Sequence, residues 1–253
     1  MIIDIVSCKS MFELAQQHQW RHISHLIEKD PSNLLSRDNT GETLLHFMIK
    51  CFSSIHSNAQ LSEDGPIYDL FQCILTALNT AAGVRATLIP SRHGLTPLHV
   101  CCQNIVPEKV TEHVARSNPR AISIQDYEGD TPLNKALRCG ATDQLLEFLI
   151  DLAIQETEAQ DCCINKFDVD GNLPLHTAMY EGSCQIVKLL LDIFPQGILS
   201  LNHYHQSPLH LASEFERFDL IRVFLESHAC LSIDCLDTLL RIEDHRGKTT
   251  LTP

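Results

Sequence analysis

The chain lacks the features by which several large classes of protein are recognised from sequence. No apolar run reaches the ~18 residues of a membrane span, and the opening residues MIIDIVSCKSM carry neither a basic leader nor an apolar stretch of signal-peptide length. Basic residues are in deficit: 19 Lys and Arg against 32 Asp and Glu leave a formal net charge of −13 at pH 7. Because this charge repels phosphate backbones and anionic lipid headgroups, we expect no nucleic-acid partner and no membrane partner.

Common catalytic signatures are also missing. The chain contains no G-x-x-x-x-G-K-[ST], G-x-G-x-x-G, G-x-S-x-G or H-E-x-x-H motif, so we expect neither an enzyme of the common kinds nor a cofactor. The 11 Cys are an odd number and form no C-x-x-C pair. This pattern favours neither a secreted disulfide framework nor a structural zinc site. It predicts reduced thiols in the cytoplasm or the nucleus.

Histidine is abundant, with 14 residues, and this keeps a metal-binding alternative open. His18, His22 and His25 are spaced so that one continuous helix would present three imidazoles to a zinc ion. A pair of short helices would instead break near Gln19 or Trp20 and separate the rings. We expect the break, and we therefore assign no metal site.

One phrase of 12 residues recurs along the chain and dominates its organisation. The clear copies are SRHGLTPLHVCC at 91–102, DYEGDTPLNKAL at 126–137, DVDGNLPLHTAM at 168–179 and NHYHQSPLHLAS at 202–213. Weaker copies are DNTGETLLHFMI at 38–49 and a truncated DHRGKTTLTP at 244–253. Aligned on the Pro position, successive copies are 53, 35, 42, 34 and 42 residues apart. Two intervals are therefore near a minimal unit, and three contain insertions.

Each position of the phrase has a local physical role. A hydroxyl residue before the Pro can cap a helix, and Pro suits the first helical position because its missing N–H would be unpaired there anyway; these caps are Thr96, Thr131 and Ser207. Small residues one turn later let two helices approach closely, namely Cys101, Ala136, Ala178 and Ala212. The turn before each cap needs a positive φ, which glycine adopts at little cost; the turn glycines are Gly41, Gly94, Gly129, Gly171 and Gly247.

This pattern resembles the ankyrin repeat, whose T-P-L-H-x-A phrase opens a unit of about 33 residues. The resemblance covers nearly the whole chain and implies an all-α solenoid of paired antiparallel helices with turn tips between them. We predict a leading partial repeat at 1–37 and a truncated stub at 244–253. Between them we predict repeats 1 to 5, at 38–90 with an inserted loop around 53–65, 91–125, 126–167, 168–201 and 202–243.

The resemblance also assigns the phrase histidines a structural role, because the family uses this ring to bridge neighbouring turns; they are His46, His99, His176 and His210. Four positions depart from the pattern and should weaken their repeats locally. Asn134 replaces the His, Leu173 removes a hydroxyl cap, His205 replaces the turn Gly, and Leu44 replaces the first Pro.

For function, the resemblance implies a non-catalytic scaffold that binds a partner protein of unknown identity. In the family geometry, residues at +3, +6 and +7 after the Pro face solvent on the concave side, beside the turn tips. The candidate partner-binding residues are Gln103, Tyr127, Lys135, Arg138, Tyr180, Glu181, Tyr204, His205, Glu214 and Phe215. The alternatives are the targeting arm of a larger enzyme or a His/Cys metal-binding protein.

Two further expectations concern modification and the C-terminal region. Asn165 stands three residues before the turn residue Asp168, where the resemblance implies a site for asparaginyl hydroxylation. Apolar residues crowd the segment 228–243. We expect this segment to cap the array, or the chain to be the N-terminal portion of a longer one.

Overall fold

A computed structural model describes residues 11–55, 65–104, 106–156, 162–226, 237 and 239–250 of the 253-residue chain. The chain divides into two compact units, Met1–Tyr127 and Glu128–Pro253. The described residues form helices and turns, and their only β pairing consists of two isolated antiparallel bridges, Arg37 with Thr43 and Glu243 with Thr249. The predicted all-α architecture is confirmed.

In the first unit, residues 11–16 are helical, and a residue with positive φ, His18 (φ 57°), separates them from the next helix. The helices that follow are α1 (Trp20–Lys29), α2 (Leu44–Ile55), α3 (Pro66–Leu78), α4 (Ala81–Ala86), α5 (Pro97–Gln103) and α6 (Glu108–Ser117). Short 3-10 helices cover Pro31–Leu35 and Pro119–Ser123. Most of the predicted inserted loop, residues 56–64, lies outside the described residues.

The second unit repeats the same hairpin of one short and one longer helix. Its helices are α7 (Pro132–Arg138), α8 (Asp143–Glu156), α9 (Pro174–Glu181), α10 (Cys184–Ile193), α11 (Pro208–Glu214) and α12 (Phe218–Glu226). Short 3-10 helices cover Cys163–Asn165 and Pro195–Leu199. The inner helices α7, α9 and α11 pack side by side, and α12 packs on α10. Most of the segment 228–243 that is expected to cap the array, namely residues 228–236 and 238, lies outside the described residues.

The local signals in the repeated phrase act as expected. Pro is the first residue of α5, α7, α9 and α11, and the Thr131 hydroxyl accepts a hydrogen bond from the backbone N–H of Asn134 (3.3 Å). The five turn glycines have φ between 72° and 79°. His205, which replaces the Gly in repeat 5, takes the same left-handed conformation at φ 59°. The small residues Ala136, Ala178 and Ala212 are fully buried where the inner helices cross.

In repeats 1, 4 and 5 a buried histidine connects the inner helix to the following turn. In α9, His176 Nδ1 accepts the backbone N–H of Leu173 (3.1 Å), so the ring proton lies on Nε2, which donates to the carbonyl of Gln206 (3.2 Å). His46 makes the equivalent bond to the carbonyl of Leu95 (2.9 Å) and His210 to that of Ile242 (3.1 Å). Because each ring needs one acceptor and one donor nitrogen, the neutral tautomer is the form that fits.

Acid is expected to destabilise the fold between about pH 6.5 and pH 4. Burial lowers the pKa of His176 to about 4, and it also lowers the pKa values of His46 and His210. The unfolded chain, whose histidines titrate near 6.5, then binds more protons than the folded one, so the free energy of unfolding falls as the pH falls through this window. For His176 alone the loss reaches ~3 kcal/mol once both forms are protonated.

Urea unfolding at about pH 7.5, 5.5 and 4.5 measures this dependence. The variant His176→Gln should show a flatter dependence, because it removes one of the titrating rings. A free energy of unfolding that stayed constant across the window would contradict the assigned tautomers.

Asn134 marks a weak position in repeat 3. Its side chain is fully buried, and neither its amide oxygen nor its amide nitrogen has a hydrogen-bond partner among the described residues. A buried polar group without partners costs ~1–3 kcal/mol. The variant Asn134→His should therefore raise the free energy of unfolding by ~1–2 kcal/mol near neutral pH, measured by urea unfolding.

The matched reverse exchange is His176→Asn, which should destabilise repeat 4 because it removes the bonds to Leu173 and Gln206. If Asn134→His lowered the stability instead, the position would not have the geometry of the other phrase histidines.

Candidate partner-binding site

The predicted site residues divide between the two units. Gln103 is the exposed last residue of α5, and Tyr127 is a turn-tip residue whose side chain is 74% exposed. Both belong to the first unit. The other eight candidate residues belong to the second unit.

Two aromatic rings meet where the inner helices of repeats 4 and 5 end. Tyr180 lies in the last turn of α9, and Phe215 directly follows α11. Their ring centroids are 5.2 Å apart with an interplanar angle of 31°. Tyr180 is half-buried, whereas Phe215 is 53% exposed. We call this pair, Tyr180 and Phe215, the aromatic platform.

Arg217 holds the two helical hairpins of the platform together. Its guanidinium donates from Nη1 to the carbonyl of Tyr180 and from Nη2 to the carbonyl of Gly182, both at 2.9 Å. It also pairs with Asp219 at 3.1 Å, and the hydrogen bond with that carboxylate is the main reason why the pKa of Arg217 is raised. Arg217 is not among the predicted site residues, because it lies outside the repeated phrase.

Replacing Arg217 tests this link between the hairpins. The variant Arg217→Met should lower the free energy of unfolding by ~1–3 kcal/mol, because two backbone carbonyls lose a charged donor. The variant Arg217→Lys should recover part of the loss, since one ammonium group cannot reproduce the two-pronged geometry. Urea unfolding measures both.

The control for Arg217 is Arg222→Lys, which changes an exposed arginine whose ion pair among the described residues is with Glu226, one helical turn away. It should leave the unfolding midpoint unchanged. Equal effects at both positions would show that the loss at Arg217 does not come from the carbonyl bonds.

The residues at +3 after the Pro are buried, which corrects the expectation that they face solvent; they are Val100, Lys135, Thr177 and Leu211. Lys135 is 8% exposed, and its ammonium lies 2.9 Å from Asp130 and 2.6 Å from Glu128. The turn carboxylates of repeat 3 therefore hold this lysine inside the stack, where it cannot contact a partner through its charge.

Arg138 is partly exposed but is also held by acidic side chains. Its guanidinium pairs with Asp168 and lies 3.4 Å from Asp130. Burial by itself would lower the pKa of Arg138, but these charges outweigh it and raise the pKa. Arg138 therefore remains charged and is fixed between the turns of repeats 3 and 4.

The turn tip of repeat 5 presents a second aromatic residue. Tyr204 is 47% exposed, its hydroxyl lies 3.4 Å from the Asp170 carboxylate, and its ring packs 5.7 Å from that of His245. Backbone bonds fix this tip on both sides, from the N–H of His203 to the carbonyl of Asp170 (2.8 Å) and from the N–H of His245 to the carbonyl of Tyr204 (3.1 Å). The tip residues Tyr204 and His205 are thus exposed on a fixed backbone.

The two predicted glutamates are exposed beside the platform. Glu181 follows Tyr180, and Glu214 precedes Phe215. Glu214 accepts a hydrogen bond from Gln206 Nε2 (2.9 Å) and lies 3.8 Å from Arg246. It borders an open pocket of about 240 Å³, lined by Gln206, His210, Ser213, Glu214, Glu216, Asp244, Arg246, Lys248 and Thr249.

The three histidines considered for a zinc site do not share one helix, and the pKa values of several described thiols are raised. The positive φ at His18 breaks the helix before Trp20, so His18 does not share a helix with His22 and His25, as expected. The described cysteines form no disulfide. Burial raises the pKa of Cys101 to about 12, and burial together with the Asp219 charge raises that of Cys184. Asn165, the candidate modification site, is the half-buried last residue of a 3-10 helix.

These repeated hairpins define the class of protein. The family model "Ankyrin repeats (3 copies)" matches residues 105–198 and 144–238. The chain therefore belongs to the ankyrin repeat family, and its fold is the all-α ankyrin-repeat solenoid. Ankyrin repeats are in general protein–protein interaction modules.

The chain is also similar to individual proteins, one compared by sequence and one by structure. The chain is 27% identical over 157 residues to the transient receptor potential cation channel subfamily A member 1 of Drosophila melanogaster, a match covering 57% of this chain and 12% of that protein. Its structure is similar to the crystal structure of the ankyrin repeat domain of Bcl-3, a member of the IkappaB protein family. That match has a TM-score of 0.59 at 18% identity and covers 100% of this chain and 92% of the other. None of the described helices is long and apolar enough to cross a membrane.

Proposed function

We propose that the protein is a non-catalytic scaffold that binds a partner protein through the ends of its inner helices and its turn tips. The observation that carries the proposal is the aromatic platform, in which an exposed phenyl ring packs on a tyrosine of the neighbouring repeat. Tyr and Arg are enriched among the residues that dominate interface energies. The proposed site comprises the eight predicted residues of the second unit, with Lys135 in a supporting position beneath the surface. Gln103 and Tyr127 of the first unit stay separate predictions.

The platform is supported by groups that restrict its motion. Arg217 holds the backbone at Tyr180, and the His176 ring joins α9 to the turn before α11. A partner that covers these rings therefore orders few additional side chains, which lowers the entropic cost of association. This arrangement favours binding.

Catalysis has less support than binding. Burial raises the pKa of the Cys101 thiol, and the lowered pKa values of His46, His176 and His210 accompany rings already bonded to backbone groups. The match to 12% of a longer relative supports a second proposal, in which the chain acts as a module within a larger protein.

Three finer assignments accompany the proposal. We propose the boundaries 1–37, 38–90, 91–125, 126–167, 168–201, 202–243 and 244–253 as the repeat units. We propose the cytoplasm or the nucleus as the location, where cysteines that form no disulfide, like the described ones, would stay reduced. Asn165 remains a proposed modification site.

The double variant Tyr180→Ala/Phe215→Ala tests the proposed site. It removes both rings of the platform, so recovery of specific partners should fall at least about ten-fold if the rings are interface anchors. Quantitative affinity capture with mass spectrometry, comparing the variant with the wild type, measures the loss. Far-ultraviolet circular dichroism checks that helicity is retained.

Phe218→Ala is the matched control. Phe218 is 72% exposed, more than Phe215, but it opens the outer helix α12 rather than ending an inner helix. This variant should retain the same partners. If the platform variant retained all its partners, or if both variants lost partners equally, the interface would lie elsewhere.

A further inference from the structure

The acidic excess of the chain is concentrated in the half that carries the aromatic platform. Residues 128–253 contain 20 Asp and Glu but 9 Lys and Arg, whereas residues 1–127 contain 12 and 10. An electrostatic field of one sign attracts partners of the opposite charge and speeds their encounter. The second unit is therefore suited to a basic partner.

Carboxylates also border the platform directly. Glu181 follows Tyr180, and Glu214 and Glu216 flank Phe215 on both sides, each of the three being exposed. Glu216 has a positive φ of 55° and no ion pair within the part of the chain that the structure describes. The rings thus present apolar surface edged by negative charge.

The basic groups near the platform are already engaged. Arg138 pairs with Asp168, and Arg217 is shared between Asp219 and two backbone carbonyls. Arg246 lies 3.8 Å from Glu214 and neutralises part of its charge. Glu181 and Glu216 are exposed carboxylates beside the platform, and neither belongs to a salt bridge among the described residues, although the charge of Glu181 helps to raise the pKa of Arg217. Both can pair with a cation from a partner.

We propose that the aromatic platform receives an arginine side chain from a basic segment of the partner protein. The guanidinium stacks on the exposed ring of Phe215, where a cation within about 6 Å of the ring centroid is attracted by the ring's negative face. Glu181 and Glu216 then accept its N–H groups. Arginine suits this site better than lysine, because its planar fork can stack and donate hydrogen bonds at the same time. This inference rests on the proposed function and adds the chemistry of the partner.

Selection from a random peptide library displayed on phage, with the full chain as bait, tests the inference. The selected peptides should carry net positive charge and be enriched in arginine. For one selected peptide, fluorescence anisotropy should show binding that weakens with added salt, as expected for charge pairing. Replacing its key arginine by lysine should weaken binding by about three-fold or more.

A matched pair of charge reversals separates the local site from the general field. The double variant Glu181→Lys/Glu216→Lys should weaken binding of the selected peptide at least about ten-fold. Asp192→Lys/Glu226→Lys, which changes the net charge equally on the exposed surfaces of the outer helices α10 and α12, should have a much smaller effect. Equal effects of the two pairs would overturn the assignment of these glutamates.

The outcomes separate this inference from the proposed function. Selected peptides that are neutral or acidic, yet lose binding in Tyr180→Ala/Phe215→Ala, would overturn the arginine site and leave the proposed interface in place. Basic peptides whose binding is unchanged in that variant would overturn both the arginine site and the proposed interface. Arginine-rich peptides that lose binding in the platform variant and in Glu181→Lys/Glu216→Lys would support both.

Discussion

The hydrogen bond from a buried histidine to the carbonyl of the following turn is the interaction on which the arrangement of the repeats depends. One nitrogen of the His176 ring accepts the backbone N–H at the start of its own helix, and the other donates to the carbonyl of Gln206, just before α11. A single rigid ring thus fixes where one inner helix starts relative to the next. The aromatic platform depends on this bond, because its two rings lie where α9 and α11 end.

The turn carboxylate Asp168 both accepts backbone hydrogen bonds and forms an ion pair, and these two roles explain why its charge can be buried. Asp168 accepts the backbone N–H groups of Asp170 (2.9 Å) and Asn172 (2.7 Å) with Oδ1, while Oδ2 pairs with Arg138. Its carboxylate therefore shapes the turn and neutralises a guanidinium from the preceding repeat. A buried charge is costly unless it is paired and hydrogen-bonded, and here the two oxygens of one carboxylate meet both conditions.

Sequence reasoning could predict the fold because its signals are local and recur in register. The Thr-Pro start, the small residue one turn later and the positive φ at the turn depend only on nearby backbone, and even the substitution of His205 for Gly keeps that conformation. The site was less predictable. Lys135 stands at a position that the family geometry placed in solvent, but this position is buried in all four repeats, and in repeat 3 acidic residues of the turn pair with the lysine. Arg217 contacts carbonyls 35 and 37 residues away, which no local pattern encodes.

The contacts that could not be predicted from the sequence are those that hold the platform rigid. A phenyl ring that is 53% exposed gains little from burial in the free protein, so its position depends on packing against Tyr180 and on the backbone beneath it. The two carbonyls held by Arg217 fix that backbone at the loop between α9 and α10, while the histidine bond fixes the helix starts at the opposite end. The platform is therefore constrained at both ends of its inner helices. A surface constrained in this way loses little conformational entropy on binding, and the contacts made by its rings can contribute more fully to affinity.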